Sequence, residues 1–233
     1  MSDREFKITP RLVLQMALIL LVLPLLPIFI SVQWSWWEAW TFAAVYIFGF
    51  AASRRLAARR HPDLIAERAR SMGFADAKAW DKVLAPLLSL GLGLVLVVAG
   101  LDARLGWTPL PFPLWAKLAA LGLILIGYAF SSWALIENRF FSGVVRIQTD
   151  RGHHVVSTGP YRWIRHPGYA GALLTYLVTP VLLGSLWAFA PAILLVAVLV
   201  VRTALEDKTL QAELPGYAAY AQRTRYRLVP GIW

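Results

Sequence analysis

The chain has 233 residues, of which 58% are hydrophobic, and its formal net charge is +10. Such a composition is too apolar for an ordinary soluble domain and too rich in large apolar side chains for a disordered chain. The absence of cysteine excludes disulfides, thiolate metal sites and cysteine nucleophiles. The length fits one compact membrane domain, which we predict over residues 1–233.

Hydropathy predicts four membrane spans followed by a helical hairpin. Each span is close to the roughly 20 residues that an α-helix needs to cross the hydrocarbon. They are predicted at about 11–33, 36–53, 83–101 and 114–136. The next apolar region, 169–204, is too long for one span, and Gly184 and Ser185 divide it into two. We therefore expect an all-α polytopic integral membrane bundle. Trp34 follows the first apolar run in place of a cleavage site, so no cleavable signal peptide is expected.

Basic residues are concentrated on one predicted side of the membrane. Of the 23 Lys and Arg residues, 21 lie in the N-terminal tail, in 54–82, in 137–168 or beyond residue 201. An even number of crossings separates these regions, so they share one face. The positive-inside rule makes that face cytoplasmic, with both termini inside. Topology and anionic lipids then explain the net charge, and we expect no nucleic-acid partner.

The predicted domain has three consecutive parts. An N-terminal hairpin with a basic surface loop occupies 1–82, a second hairpin 83–136, and the region that carries the site 137–233. The segment 54–82 is predicted as an amphipathic surface helix, either an anchor on lipid or a lid over a substrate entrance. A second amphipathic helix is predicted at about 203–225, with Asp207 facing water.

The stretch from His153 to Tyr169, HHVVSTGPYRWIRHPGY, places polar, basic and aromatic residues between very apolar segments. Such a concentration between spans predicts a site. Proline favours the first turn of a helix, so the pair His166–Pro167 predicts that a helix begins there. Its N-terminal N–H groups, with Arg162 and Arg165, suit a carboxylate or phosphate. Contact with lipid phosphate or simple helix capping is the alternative interpretation.

Arg202 and Glu206 are four residues apart at the inner end of the last span, which places them on one helical face. They form either an interfacial salt bridge, with Arg202 reaching toward water, or part of a ligand site. The histidines are not arranged as in HExxH, so we expect no metal. GxSxG, P-loop and GxGxxG patterns are also missing from the sequence.

The motif GPYRWIRHPGY is preceded by HHVVST and followed by an Arg-x-x-x-Glu and a Tyr-x-x-Tyr. This combination resembles the isoprenylcysteine carboxyl methyltransferase family, and the related membrane phospholipid methyltransferases share much of it. The resemblance covers about 137–233. It implies a multi-helix membrane fold with a cytosolic pocket for S-adenosylmethionine.

The resemblance also implies roles for individual residues. The family's C-terminal arginine falls on Arg202, at the substrate end, and its cofactor-contacting glutamate on Glu206; we predict both as catalytic. Asp207 stands where relatives often have a second Glu, and the doubled His153–His154 leaves two registers open. The residues implied to bind the cofactor are His153, His154, Val155, Val156, Gly159, Tyr161, Arg165, His166, Pro167, Gly168, Tyr169 and Glu206.

The sequence therefore predicts an S-adenosylmethionine-dependent membrane methyltransferase whose acceptor is apolar or lipid-anchored, such as a prenylated cysteine. A carboxylate acceptor is favoured, because it is already nucleophilic at neutral pH and needs no general base. N-methylation of a phospholipid headgroup and methylation of a small thiol are the alternatives among enzymes. A non-catalytic membrane binding protein or transporter is the alternative from another class.

Overall fold

The computed structural model describes residues 18–71 and 77–233, and within them the secondary structure is helical, with no strand. The all-α prediction is confirmed for this part of the chain. The basic N-terminal tail, positions 11–17 of the first predicted span and positions 72–76 lie outside the described residues. The α-helices are α1 (Leu26–Ser31), α2 (Trp37–Arg60), α3 (Pro62–Ser71), α4 (Asp81–Leu105), α5 (Leu114–Glu137), α6 (Pro167–Leu182), α7 (Phe189–Glu213) and α8 (Tyr217–Arg223).

Three of the described helices, α4, α5 and α7, are long and apolar enough to cross a membrane. The helix α6 and the stretch Leu20–Ser31 are apolar but shorter. The turn between α6 and α7 contains Gly184, which has a positive φ of 69°, and Ser185, as the predicted hairpin requires. The molecule thus has the helices of an integral membrane protein.

The first apolar segment is not a regular α-helix. A π-helical turn, Leu18–Val22, leads into a 3-10 turn, Leu23–Leu25, and only then into α1. Pro24 lies inside this irregular stretch and Pro27 follows it in the first turn of α1; proline lacks the N–H that a regular helix would use. Prolines bend or interrupt helices, and here the interruption takes the form of a change of helix type.

The segment 54–82 differs from its prediction as one amphipathic surface helix. Residues 54–60 continue α2 as far as Arg60, and α3 is a separate helix that begins at Pro62. Leu64 is fully buried and packs with Ala57 and Leu135. The apolar side chain that was expected on lipid therefore belongs to the protein core.

The C-terminal region also differs from its prediction. In place of one helix over 203–225, α7 continues to Glu213, and Gly216, with φ of 83°, precedes α8. A Pro215–Gly216 pair interrupts the helix because neither residue favours its continuation. The expectation that Asp207 faces water is wrong, since its side chain is fully buried.

Close packing of α5 against α6 fixes the start of α6. A Cβ on Gly127 would lie 2.6 Å from the carbonyl oxygen of Gly171, so glycine permits the two backbones to touch. The Ser131 hydroxyl donates to the Gly168 carbonyl oxygen at 2.8 Å, four residues further along α5. The inner end of α5 and the first turn of α6 are thereby held together.

The opposite end of the bundle is closed by buried polar contacts and aromatic rings. The Asp102 carboxylate accepts hydrogen bonds from Thr108 and from Ser185, which joins the α4–α5 loop to the α6–α7 turn. Glu38 and Lys117 form an ion pair. The tryptophans at this end are exposed, except Trp36, which packs in the core. The connections at this end are short, so a ligand site is expected at the other end of the bundle.

Candidate functional site

A polar pocket of about 780 Å³, including its opening to solvent, lies where the loop 138–166 meets α6, α7 and α8. The pocket is lined by Asn138, Phe140, Phe141, Ser142, Val144, Val145, Arg146, Gln148, His153, His154, Val155, Val156, Tyr161, Arg165, His166, Gly168, Tyr169, Arg202, Glu206, Leu210, Leu214, Tyr217 and Tyr220. All but two of the predicted site residues are among them.

The two exceptions are Gly159 and Pro167, which do not line the pocket. Gly159 has a positive φ of 56°, and a Cβ there would come within 2.8 Å of the Glu137 side chain. Pro167 is buried as the first residue of α6. Their visible contribution is to the shape of the backbone: Gly159 permits a close turn, and Pro167 starts the helix.

His153 forms part of one wall and is held in its neutral state. Its ring packs against Phe140 with centroids 4.5 Å apart, and its Nδ1 accepts a hydrogen bond from the Gln148 backbone N–H at 3.2 Å. Burial, and to a smaller extent the neighbouring charges of His154 and Arg146, lower the pKa of His153 to about 4. A neutral imidazole leaves this wall without positive charge at neutral pH.

Tyr161 also lines the pocket and is fixed at both ends. Its hydroxyl accepts from Asn138 Nδ2 at 3.2 Å and donates to the Ala134 carbonyl oxygen at 3.3 Å. Its own carbonyl oxygen accepts from the Tyr220 hydroxyl at 2.7 Å. Burial raises the pKa of Tyr161 well above that of a free phenol. The ring is thus a rigid, neutral surface.

The Asp207 carboxylate is the common partner of several side chains around the pocket. Its buried carboxylate lies 3.0 Å from Arg165 Nε and 3.3 Å from His166 Nε2. The same carboxylate accepts hydrogen bonds from Tyr217, Gln211 and Arg227. Burial of a carboxylate is tolerated only with such partners. Asp207 therefore joins the α6 start, α8 and the C-terminal segment into one support.

One end of the pocket contains a chain of polar groups that crosses three helices. Arg202 donates from Nε and Nη2 to the Asp81 carboxylate, at 2.6 and 3.0 Å, and from Nη1 to the Tyr169 hydroxyl at 2.7 Å. The Tyr169 hydroxyl in turn donates to Glu206 Oε2 at 2.6 Å. The two predicted catalytic residues are thus linked through Tyr169, while the ion pair of Arg202 is formed with Asp81.

A second space, the bundle cavity, lies among α2, α4, α5, α6 and α7 and encloses about 1610 Å³, including its opening. Its lining is mostly apolar, from Leu23 and Phe42 to Leu199. Residues that line both the bundle cavity and the polar pocket are Phe141, Ser142, Gly168, Tyr169 and Arg202. These residues form the partition where the two spaces meet.

The helix α3 lies against the loop that builds the pocket. Glu67 accepts from Arg146 at 2.9 Å, and Asp63 accepts from Arg139 and Arg151 at 2.9 and 2.7 Å. Because these ion pairs connect α3 to the loop, the helix supports the pocket's outer wall.

Several residues of this site were not identified from the sequence. Asp81 is 121 positions from its partner Arg202, and a single acidic residue at the start of an apolar segment carries little signal. Phe140 lines the pocket but belongs to no short motif. Tyr217 and Tyr220 also line it; they are the Tyr-x-x-Tyr of the sequence, which was not assigned to the site. Among the described residues, no group of His, Asp or Glu is arranged to hold a metal.

The fold and the site define a class: an all-helical membrane protein with a polar pocket that adjoins a cavity inside its bundle. Residues 120–212 match the isoprenylcysteine carboxyl methyltransferase (ICMT) family. This match confirms the resemblance seen in the sequence; it covers most of α5, the loop, α6 and nearly all of α7.

Named relatives agree with the family assignment. Over 70 residues the chain is 33% identical to protein-S-isoprenylcysteine O-methyltransferase of Schizosaccharomyces pombe, an alignment that covers 30% of each chain. Over 62 residues it is 36% identical to a probable protein-S-isoprenylcysteine O-methyltransferase of Oryza sativa subsp. indica, covering 26% of this chain and 32% of the relative. The alignments thus span about a third of the relatives' length.

Proposed function

We propose that this protein is an integral membrane methyltransferase that uses S-adenosylmethionine and methylates the carboxylate of a prenylated or otherwise lipid-anchored acceptor. The proposal brings together the family match, the matched relatives' printed names and the geometry of the site.

The observation that carries the proposal is the shared partition. A polar pocket suited to a water-soluble donor meets an apolar cavity suited to a lipid tail, and Tyr169 and Arg202 line both. A group-transfer enzyme with one polar and one lipidic substrate needs such a junction, since the reacting atoms must meet in a defined orientation. A site for a polar ligand alone would have no need of the second space.

The residues of the polar pocket fit S-adenosylmethionine. Arg165 and His166 line the pocket and are held in place by Asp207, so they can offer donors to a carboxylate. The rings of Tyr161, Tyr169 and Phe140 offer faces for an aromatic base and for a cationic sulfonium. When bound, this cofactor supplies a methyl group on a positively charged sulfur.

The chain's own residues then bind and orient the acceptor. The Arg202 guanidinium faces both spaces, and its ion pair with the fully buried Asp81 fixes its direction. We assign it to orienting the acceptor carboxylate by a charge-assisted hydrogen bond from Nη1, the terminal nitrogen that does not bind Asp81. Glu206, held by the Tyr169 hydroxyl, is assigned to the positively charged part of the cofactor. A carboxylate acceptor carries no proton to remove, so this set is sufficient without a base.

We further propose that six helical segments cross the membrane: the stretch Leu20–Ser31, α2 and α4 to α7. Supporting this, the described residues place Arg104 and Lys117 at the end opposite the polar pocket, and most other basic residues at the pocket end. The positive-inside rule then puts the pocket and both termini on the cytosolic side. Membrane lipids are the surrounding partners.

The test is direct methyl transfer by purified protein in nanodiscs, with methyl-labelled S-adenosylmethionine and N-acetyl-S-farnesylcysteine. We expect label in a product that releases methanol on treatment with base, as a methyl ester does. Base-stable label in phospholipid headgroups would overturn the carboxylate assignment. No transfer to any lipid or prenylated thioether would overturn the enzyme proposal.

Three substitutions separate the two spaces. Tyr161→Ala and His166→Ala are expected to weaken donor binding, measured by calorimetric titration with S-adenosylhomocysteine. Arg202→Ala is expected to reduce turnover more than donor affinity. Unchanged donor affinity in both of the first two variants would contradict the donor pocket, and lost affinity with normal turnover at saturation would contradict the role of Arg202.

A further inference from the structure

The wall of the bundle cavity contains phenol groups. Four tyrosines of the described residues line it: Tyr46 on α2, Tyr128 on α5, and Tyr169 and Tyr176 on α6. A tyrosine hydroxyl that is withdrawn from bulk water usually has a hydrogen-bond partner, because a polar group without one is unfavourable. The partner of each hydroxyl therefore indicates whether that group serves the fold or a ligand.

Two of these hydroxyls have protein groups beside them that account for their presence. The Tyr169 hydroxyl belongs to the chain of polar groups at the partition. Tyr128 has the Ser53 side chain on α2 as its hydrogen-bonding neighbour. The Tyr128 ring also packs on that helix, since a Cβ on Gly49 would lie 2.7 Å from Tyr128 Cε1. Both tyrosines therefore have a role within the fold or at the partition.

The other two tyrosines, Tyr46 and Tyr176, are called the tyrosine pair below. Their hydroxyls form no hydrogen bond with any residue that the structure describes. The two phenols lie close enough to interact electrostatically. The Tyr46 ring stacks on Phe42, with centroids 6.2 Å apart, and Phe50 lies one turn further along the same wall. Phenylalanine is thus compatible with this wall, so packing alone does not account for the two hydroxyls.

The tyrosine pair lies inside the bundle, away from the partition. Tyr176 follows Tyr169 by seven residues on α6, so the two side chains share one helical face two turns apart. At 1.5 Å per residue, this separation is about 10.5 Å. Tyr46 approaches Tyr176 from α2, so the pair acts at one depth of the cavity.

A saturated tail that extends from the partition would place only hydrocarbon beside the tyrosine pair. The two hydroxyls would then lose water without gaining a partner, which disfavours such a tail. A tail with an oxygen atom at this depth would supply the missing hydrogen bonds. Sites with buried polar groups discriminate strongly in this way, because an analogue that lacks the matching group leaves them unpaired.

We propose that Tyr46 and Tyr176 recognise a hydroxyl or carbonyl oxygen in the middle of the acceptor's hydrocarbon tail. The inference rests on the proposed function and specifies its acceptor: the carboxylate lies at the partition, and a second polar group lies about 10 Å further along the tail. The tyrosine pair determines specificity by binding this oxygen and takes no part in the methyl transfer. A plain tail of the same length enters the cavity but binds less tightly.

The experiment compares three positional isomers of a hydroxylated fatty acid: 3-hydroxy-, 10-hydroxy- and 17-hydroxyoctadecanoic acid. Because the isomers have the same composition, differences in their affinity show where the cavity accepts an oxygen. Affinity is measured with the purified full chain in detergent micelles, by displacement of the fluorescent cis-parinaric acid. We expect the 10-hydroxy isomer to bind at least about fivefold more tightly than the other two, which corresponds to about 1 kcal/mol. Equal affinities, or preference for either other isomer, would overturn the proposal.

Matched variants test the two residues. Tyr46→Phe and Tyr176→Phe each remove one hydroxyl and keep the ring, so each should reduce the preference for the 10-hydroxy isomer several-fold without weakening the binding of octadecanoic acid. Tyr128→Phe is the control and should retain the preference, because the Tyr128 hydroxyl has Ser53 beside it. Retention of the preference in both pair variants, an equal loss in the control, or a parallel loss of octadecanoic acid binding would overturn the assignment. Thermal unfolding of each variant verifies that it is folded.

This assay needs no methyl donor, so its result is separate from that of the proposed function. A protein that transfers methyl groups but binds the three isomers alike overturns the tail-oxygen site only. A protein that prefers the 10-hydroxy isomer but neither binds S-adenosylhomocysteine nor transfers methyl groups overturns the methyltransferase and retains the tail-oxygen site.

Discussion

Asp81 and Arg202, 121 positions apart in the sequence, form a bidentate ion pair in which both side chains are buried. The Asp81 carboxylate also accepts from the Val145 backbone N–H at 2.6 Å. One carboxylate thus joins the start of α4, the middle of α7 and the loop of the polar pocket. The orientation of Arg202 depends on a residue that belongs to no motif.

Asp81→Asn should leave the Arg202 charge buried without its counter-charge. Breaking a buried pair in this way costs about 3–5 kcal/mol. We expect a large drop in the rate of methyl transfer, with donor affinity nearly unchanged, and a lower unfolding temperature. The control is Glu213→Gln, which removes the exposed pair with Lys78 and should cost less than about 1 kcal/mol. Similar losses in both variants would contradict the role of Asp81.

Tyr169→Phe should uncouple Arg202 from Glu206 while it keeps the ring in the partition. The Tyr169 hydroxyl donates to Glu206 and accepts from Arg202. The loss of such a buried hydrogen bond costs about 1–3 kcal/mol. We expect the turnover number to fall by about tenfold or more. Steady-state kinetics with both substrates saturating measures the effect. A normal turnover number would show that the bridge is not needed.

Asp207→Ala should weaken the support of the donor pocket, because Arg165, His166 and Arg227 all pair with that carboxylate. We expect weaker binding of S-adenosylhomocysteine and a stability loss of about 3–5 kcal/mol. Lys208→Ala, at the exposed neighbouring position, is the matched control. If both variants bind the ligand as tightly as the wild type does, the Asp207 carboxylate does not support the donor pocket.

The stability should depend on pH through His153. Its folded pKa of about 4 lies below its unfolded value near 6.5, so the folded state binds fewer protons between these limits. The stability that neutral His153 contributes is complete above about pH 6.5 and is lost as the pH falls toward 4. We expect His153→Gln to flatten the dependence of the unfolding temperature on pH from 7 to 5. Parallel curves for the two proteins would exclude His153 as the source.

The proposed topology can be tested with introduced cysteines, since the sequence contains none. Leu110→Cys lies in the α4–α5 loop, where Leu110 is 75% exposed, and Lys208→Cys lies at an exposed position near the polar pocket. We expect a membrane-impermeant maleimide to label position 110 in intact cells and position 208 only after permeabilisation. The reverse pattern would invert the topology.

Local patterns were sufficient to predict several features of this molecule. The pair His166–Pro167 predicted the start of α6, and Gly184–Ser185 predicted the turn before α7. Steric preferences of proline and glycine act within a few residues, so the sequence displays them directly. The clustering from His153 to Tyr169 predicted nine of the 23 residues that line the pocket for a related reason: residues close together in one loop can line the same space.

What the sequence did not predict depends on distant partners. Asp207 follows a polar periodicity that is typical of a solvent-facing position, but α8 and the C-terminal segment cover it. The segment 54–82 has a helical pattern, yet Pro62 divides it and the ion pairs of Asp63 and Glu67 with a later loop decide where α3 lies. Such contacts form only in the tertiary fold, so the local periodicity of the sequence does not predict them.

The partition has a consequence for changing what the protein accepts. A substitution at Tyr169 or Arg202 alters both ligand spaces at once, so acceptor range and donor chemistry cannot be tuned independently there. Phe42, Val45 and Phe50 on α2 line the bundle cavity alone. Directed evolution toward bulkier or shorter tails should therefore begin on α2, where substitutions leave Tyr169 and Arg202 unchanged.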